Sequence, residues 1–265
     1  MDRRNVNRRR GPVKPLDFDD AVYGIHAVSE ALAAGERLRA VHVAQDRRND
    51  PALRELLANA QERDVRVTFE PRDFFTRYPY RAHQGVTAMA EPFDYVTLDE
   101  AIGLRSGDGP ALFVVLDHLT DPHNVGAILR TAECAGAGAM LLPDRRSAGI
   151  NATVRKAAAG AAARVPVARV GNLATAIRTL KKAGIWVVGA DAEAPTAMEE
   201  GDFNRDLALV IGAEGDGISQ LVRRECDYLV RIPMAGRLGS LNASVAAGIL
   251  MFEALRQRSP RMRVN

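Results

Sequence analysis

Hydrophobic and polar positions along this chain switch between two periods, and the switching predicts alternating helices and strands. In the first third, helical spacing over Ala27–Ala34 gives way to a strand at Leu38–Ala44. A helix over Pro51–Glu62 follows, then strands at Val65–Phe69 and Val86–Met89. Thr97 with Glu100 has the spacing of a capping box that opens a short helix. Leu112–Leu116 is an unbroken apolar run, as expected of a strand buried on both faces. The alternation continues through helix Asn124–Gly136, strand Ala139–Leu142, helix Asn151–Ala159 and strand Val165–Val170. Helix Leu173–Ala183, strands Ile185–Gly189 and Leu207–Ile211, helix Ile218–Cys226, strand Tyr228–Ile232 and helix Asn242–Arg256 complete it. Such an order predicts an α/β fold with a parallel sheet covered on both faces.

The same pattern predicts four segments: a basic disordered arm at 1–21, a compact α/β unit at 22–92, a Gly/Pro-bearing linker at 93–110, and a larger α/β unit at 111–265. With 265 residues, 47% hydrophobic and 26% charged, the chain can bury a core without staples. Its net charge of +3 is unevenly spread. Residues 1–14 hold Arg3, Arg4, Arg8, Arg9, Arg10 and Lys14 against Asp2 alone, while the rest carries 30 basic and 32 acidic residues. The basicity is therefore in the arm, which serves either as a phosphate tether or as a solubilising tail. No apolar run approaches the roughly 18 residues that span a bilayer. Cys134 and Cys226 have neither metal nor disulfide spacing. A reduced, cytoplasmic protein without membrane contact is expected.

Chemistry concentrates at three predicted strand ends, where open α/β sheets gather ligands. After the Leu112 strand comes Asp117-His118-Leu119-Thr120-Asp121-Pro122-His123-Asn124, with Gly126 and Arg130 beyond. Asn124 stands where a helix N-cap is expected. Arg130, taken alone, is a solvated or paired helix arginine. His118 and His123 lack a third ligand, so no metal is expected. The turn Gly212-Ala213-Glu214-Gly215-Asp216-Gly217 is neither a dinucleotide fingerprint nor a P-loop. It reads as a tight turn or as a ligand wall, and Glu214 has little structural reason to stand between glycines. The loop Ile232–Ala246 interleaves Met234, Leu238 and Leu241 with Ala235, Gly236, Gly239 and Ser240, before Asn242 caps a small-residue helix start. That mixture suits an adenine-like ring in a dry slot; dense helix-on-sheet packing uses the same residues.

In order, Asn124-x-Gly126-x-x-x-Arg130, Gly212-x-Glu214-Gly215-x-Gly217, and Ile232-Pro233-Met234 with Ser240-Leu241-Asn242-x-Ser244-x-Ala246 resemble the motifs of the TrmH (SpoU) branch of the SPOUT RNA methyltransferases. Tyr23–Leu32 is similar to the start of that family's RNA-binding domain. Arg146-Ser147-Ala148, with Asn151 and Thr153, resembles the subgroup that methylates a guanosine ribose in the peptidyl-transferase region of bacterial large-subunit rRNA. The resemblance implies a ribosomal-protein-like α/β domain at 22–92, then a parallel-sheet SPOUT domain with a trefoil knot. It implies S-adenosylmethionine as methyl donor, touched by Gly212, Ile232 and Leu241, and no metal. The implied catalytic group is Asn124, Arg130, Glu214, Ser240 and Asn242, in a homodimer whose partner completes the pocket. The accepting 2′-hydroxyl makes RNA, not DNA, the substrate. Two roles stand open for Arg130: a base assisted by an RNA phosphate or a neighbour, or a cation that orients phosphate and hydroxyl, since guanidinium stays protonated in proteins. The alternatives are a tRNA ribose methyltransferase of the same branch and a non-catalytic ribosome-assembly factor. The five intact site residues argue against the second. The arm before Tyr23 is longer than the family's usual start.

Overall fold

The computed structural model of the chain describes residues 21–78, 83–104 and 109–259. The expected arm lies outside these residues except for Ala21, which opens the first strand. The first unit comprises β1 (Ala21–Tyr23), α1 (Ile25–Ala34), β2 (Leu38–Ala44), α2 (Arg54–Glu62), β3 (Val67–Glu70) and β4 (Val86–Ala90). Its four strands lie in the order β1-β4-β2-β3. A 3-10 turn over Pro51–Leu53, capped by the Asp50 side chain, leads into α2, so the predicted helix begins more tightly than expected. Val28, Leu32, Leu53, Leu56 and the inward residues of β2 and β4 form one core there.

The second unit holds α3 (Leu98–Gly103), β5 (Leu112–Asp117), α4 (Pro122–Cys134), β6 (Ala139–Pro143), α5 (Ala152–Ala158), β7 (Val167–Val170) and α6 (Leu173–Lys182). It continues with β8 (Trp186–Ala190), β9 (Thr196–Ala197), β10 (Leu207–Gly212), α7 (Gln220–Glu225), β11 (Tyr228–Arg231) and α8 (Ala243–Arg258). Seven strands form one sheet, β7-β6-β5-β10-β8-β11-β9, with every ladder parallel. Because strand side chains alternate, Leu112, Val114 and Leu116 of β5 face a core with α4, α5 and α8, while Phe113 and Val115 face one with α3, α6 and α7. Both faces are covered, which explains the unbroken apolar runs. The strand order reverses between β5 and β10, so their carboxyl ends form the switch-point crevice of such sheets.

One detail departs from the sequence reading. The α4 N-cap is Asp121, whose side chain accepts from His123 N, and Pro122 occupies the first helical position. Asn124 is therefore inside the first turn and its side chain is released for other work. As expected, the Thr97–Glu100 capping box opens a short helix, α3; Ala101 of that helix is buried, and Val96 N donates to Val167 O at 3.0 Å.

Across the junction of the two units, Arg155 of α5 meets Glu36 at 3.1 Å and donates to Glu91 O at 3.1 Å. Both partners of that pair are about 5% exposed, and Lys156 sits over the Tyr23 ring. No helix among the described residues is long and apolar enough to cross a membrane.

Candidate active site

Asp117 and Gly212 end the two central strands in register with each other. From Gly212 the chain turns back sharply: Ala213 and Gly217 exchange two backbone hydrogen bonds, of 3.1 and 2.9 Å. A Cβ on Gly212 would lie 2.1 Å from the Gly217 carbonyl carbon, so only glycine closes this turn. The closed turn lifts Glu214 above the sheet edge.

There Glu214 Oε1 gathers three donors from distant segments. Asn124 Nδ2 donates at 2.8 Å, Asn242 Nδ2 at 2.5 Å and Ala243 N at 3.3 Å. Asn242 also donates to Asn124 Oδ1 at 2.9 Å, and its own Oδ1 caps α8 by accepting from Ser244 N and Val245 N. One asparagine thus starts a helix and ties the cluster. Gly126, one turn into α4, explains how Asn124 is placed: a Cβ there would meet Val154 O at 2.7 Å, so glycine lets α4 press onto α5.

Two cavities share the Ala213–Gly217 turn as a wall. The first, about 530 Å³, is lined by Gly212, Ile232 and Leu241, together with Ser240, Met234 and the Asp191–Arg223 ion pair. Its apolar sides, free backbone groups and obligatory glycine fit an adenosine-bearing sulfonium. The second, about 690 Å³, is lined by Asn124, Glu214, Asp121, Asp216, His118 and Arg146 among others.

Of the eight site residues expected from sequence, six line these cavities and a seventh, Asn242, is hydrogen-bonded to two of them. Asn124, Glu214 and Asn242 are bonded together, and Gly212, Ile232, Ser240 and Leu241 line the first cavity or its rim. Arg130 is not brought there. It is exposed on α4, lines neither cavity, and has no partner among the described residues.

The sequence reading named Asp117 at the start of the first loop without giving it a role, and considered His118 only as a metal ligand. Asp117 is fully buried; its Oδ2 accepts from Ser219 N at 2.7 Å and its Oδ1 lies 2.5 Å from His118 Nδ1. His118 has φ 60, a left-handed backbone that costs a non-glycine residue roughly 1–2 kcal/mol. A charge ending an otherwise apolar strand was the available signal. Among the described residues no group of three or more His, Cys, Asp and Glu could hold a metal ion. Cys226, behind α7, is a packed apolar group, since burial pushes its thiol up to about 12.

Comparison with known proteins decides the family. The sequence model of the SpoU rRNA Methylase family matches residues 111–252. The chain belongs to this family. A second model, for RNA 2′-O ribose methyltransferase substrate binding, matches residues 21–96 of the SpoU methylase. The chain is 44% identical over 246 residues to the 23S rRNA (guanosine-2′-O-)-methyltransferase RlmB of Pseudomonas syringae, covering 91% of this chain and 97% of that one. It is 40% identical over 257 residues to an uncharacterized tRNA/rRNA methyltransferase of Mycobacterium leprae, covering 97% and 83%. Among solved structures it resembles the SpoU methyltransferase AviRb from Streptomyces viridochromogenes in complex with the cofactor AdoMet. That match has a TM-score of 0.75 at 28% identity and covers 90% of this chain and 89% of that one. This SpoU methylase is accordingly an S-adenosylmethionine-dependent RNA 2′-O-methyltransferase.

Proposed function

We propose that the chain methylates the 2′-oxygen of a guanosine ribose in large-subunit (23S) ribosomal RNA, in the cytoplasm. The observation that carries this reading is the Glu214 cluster, which stands between a cavity suited to the donor and a second cavity open to an acceptor. The similarity to RlmB of Pseudomonas syringae supports guanosine in 23S rRNA over a tRNA target. The small domain, 22–92, is the RNA-binding domain in this reading, 93–110 joins it to the methyltransferase domain at 111–265, and neither DNA nor a membrane is a partner.

S-adenosylmethionine supplies an electrophilic methyl group when bound. The chain's task is alignment, since sulfur loses its charge in the transfer and well-oriented approach alone can lower a barrier by several kcal/mol. Gly212, Ile232 and Leu241 hold the donor, largely through backbone groups. Asn124, Glu214 and Asn242 fix the ribose, and Ser240 closes the rim. The last segment, from β11 into α8, passes through a loop as a trefoil knot in our reading. The small residues Ala243, Ala246, Ala247 and Gly248, where α8 packs on β10 and α4, support this.

The functional unit we propose is a homodimer. Val245 and Phe252 on α8, with Leu241 just before its N-cap, are 49%, 46% and 36% exposed, an apolar strip beside a helix that is otherwise largely packed in the core. Arg130 stands outside both cavities of its own chain, and pairing would bring it into play. There the guanidinium stays charged and orients phosphate and hydroxyl.

The decisive assay transfers tritiated methyl from S-adenosylmethionine to 23S rRNA lacking the modification and maps the label. Label on one guanosine 2′-oxygen is expected; label on tRNA alone would overturn the substrate. In the same assay Arg130→Ala should abolish transfer while donor binding survives, and retained turnover would remove Arg130 from the chemistry.

A further inference from the structure

The second cavity contains two side chains to which the family reading gives no role. Arg146 lies in the loop between β6 and α5, with φ 57, and its exposed side chain has no hydrogen bond or ion pair among the described residues. Other arginines of this unit are engaged, among them Arg155 with Glu36, Arg164 with Glu133, Arg169 with Asp144 and Arg223 with Asp191. The loop that carries Arg146 is nonetheless well braced. Ala148 N donates to Leu119 O at 2.9 Å, Ile150 N donates to the Tyr95 hydroxyl at 2.8 Å, and Asn151 caps α5. A braced loop therefore presents an unpartnered cation to a cavity.

His118 faces it from the neighbouring strand end. Its Nδ1 is held by the buried Asp117 carboxylate, which leaves Nε2 as the ring nitrogen available to the cavity. Hydrogen bonding at one ring nitrogen sets the tautomer and aims the other. The opposite wall is the Asn124–Glu214 cluster and the turn shared with the donor cavity. Other charged groups lining the space are Asp121, whose Oδ1 already accepts from His123 N, and Asp216. One wall is thus suited to an anionic group and the opposite one to hydroxyls.

We propose that the second cavity is the acceptor subsite, in which Arg146 and His118 bind the backbone phosphate next to the ribose being methylated. The inference rests on the methyl-transfer reading and adds the residues that seat the RNA strand. An arginine fork suits a phosphate diester because its donors match the oxygens in pairs. With the phosphate on Arg146, the attached ribose extends toward Asn124 and Glu214, and its 2′-oxygen faces the donor cavity across the turn. Both side chains are binding residues here, and neither takes the hydroxyl proton.

The test measures RNA and donor separately with the full-length protein. Arg146→Ala should raise KM for the 23S rRNA substrate about tenfold, with most of the loss in KM rather than kcat, and leave donor affinity by calorimetry unchanged. The slope of log affinity against log salt should flatten by about 0.7, the value of one phosphate contact on a single strand. Arg146→Lys should recover part of the affinity, because the charge remains but not the fork. His118→Asn, which tolerates the left-handed backbone and can still donate to Asp117, should raise KM several-fold with thermal stability retained. Unchanged KM and salt slope in Arg146→Ala, with donor binding intact, would overturn the proposal. Failure of the wild-type protein to bind donor or label RNA would instead overturn the methyl-transfer reading beneath it.

Discussion

Two polar knots join distant parts of this chain, and they are built on opposite principles. At the junction of the units, Arg155 and Glu36, 119 residues apart, meet in a dry contact that leaves Arg155 Nε and Glu36 Oε2 buried without partners. At the strand ends, Asn124, Glu214 and Asn242 meet beside open cavities, and three donors converge on one carboxylate oxygen. The first knot holds charges that water cannot reach, which makes it costly to break and of little use to a ligand. The second keeps its spare hydrogen-bonding capacity toward solvent, where a ribose can take it up.

The largest effect should come from breaking the dry knot. Arg155→Ala strands Glu36 in a buried site and is expected to cost about 3–5 kcal/mol, read as a lower midpoint in thermal unfolding. Replacing both partners together, Arg155→Met with Glu36→Leu, should be near neutral; a large loss in the double variant would contradict this account. The wet knot should respond the other way. Glu214→Gln should keep the midpoint while lowering kcat/KM for methyl transfer about a hundredfold, because a misplaced acceptor is enough. A stable variant with normal turnover would show that the carboxylate charge is dispensable.

The smallest effect is set by pH. Burial is the main cause that holds His42 and His83 below the ordinary histidine value of 6.5. The unfolded chain takes up protons from about pH 6.5 downward while these folded imidazoles stay neutral, so their contribution to stability is present above that value and lost as pH falls toward the folded values. Mild acid should therefore lower the midpoint of the small domain, and His42→Gln should reduce that slope. Donor binding across the same range should follow a different curve, and a shared curve would mean the two units are coupled more tightly than the junction implies.

Much of this was legible in the chain. The continuous apolar runs at Leu112 and Leu207 announced a doubly covered parallel sheet, and the spacing of Thr97 and Glu100 announced its capping box. β1 and β9, three and two residues long, were not legible, because strands that short owe their existence to partners far along the chain. Asn124 was read as a cap although Asp121-Pro122 precedes it; proline favours the first helical position, and that rule places the cap one residue earlier. Gly212, Glu214 and Asn242 stood out by composition. Arg146 was noticed only as part of a subgroup resemblance and His118 only as a rejected metal ligand, since nothing local says that the loops after β5 and β6 open into one cavity.

Ala111 N bonds the Asp206 side chain at the foot of β5 and β10, two strands that lie side by side yet are 95 residues apart in the chain. A ribosome adding about 5–20 residues per second leaves that edge of β5 bare for roughly 5–19 seconds. β6 and β7 can settle against the other edge meanwhile, and the small domain has already emerged. Both cavities need β10 and the turn that follows it, so neither exists until most of the protein has been made. During synthesis the nascent chain thus passes through a stage in which all of its first unit has been made and neither cavity has its walls.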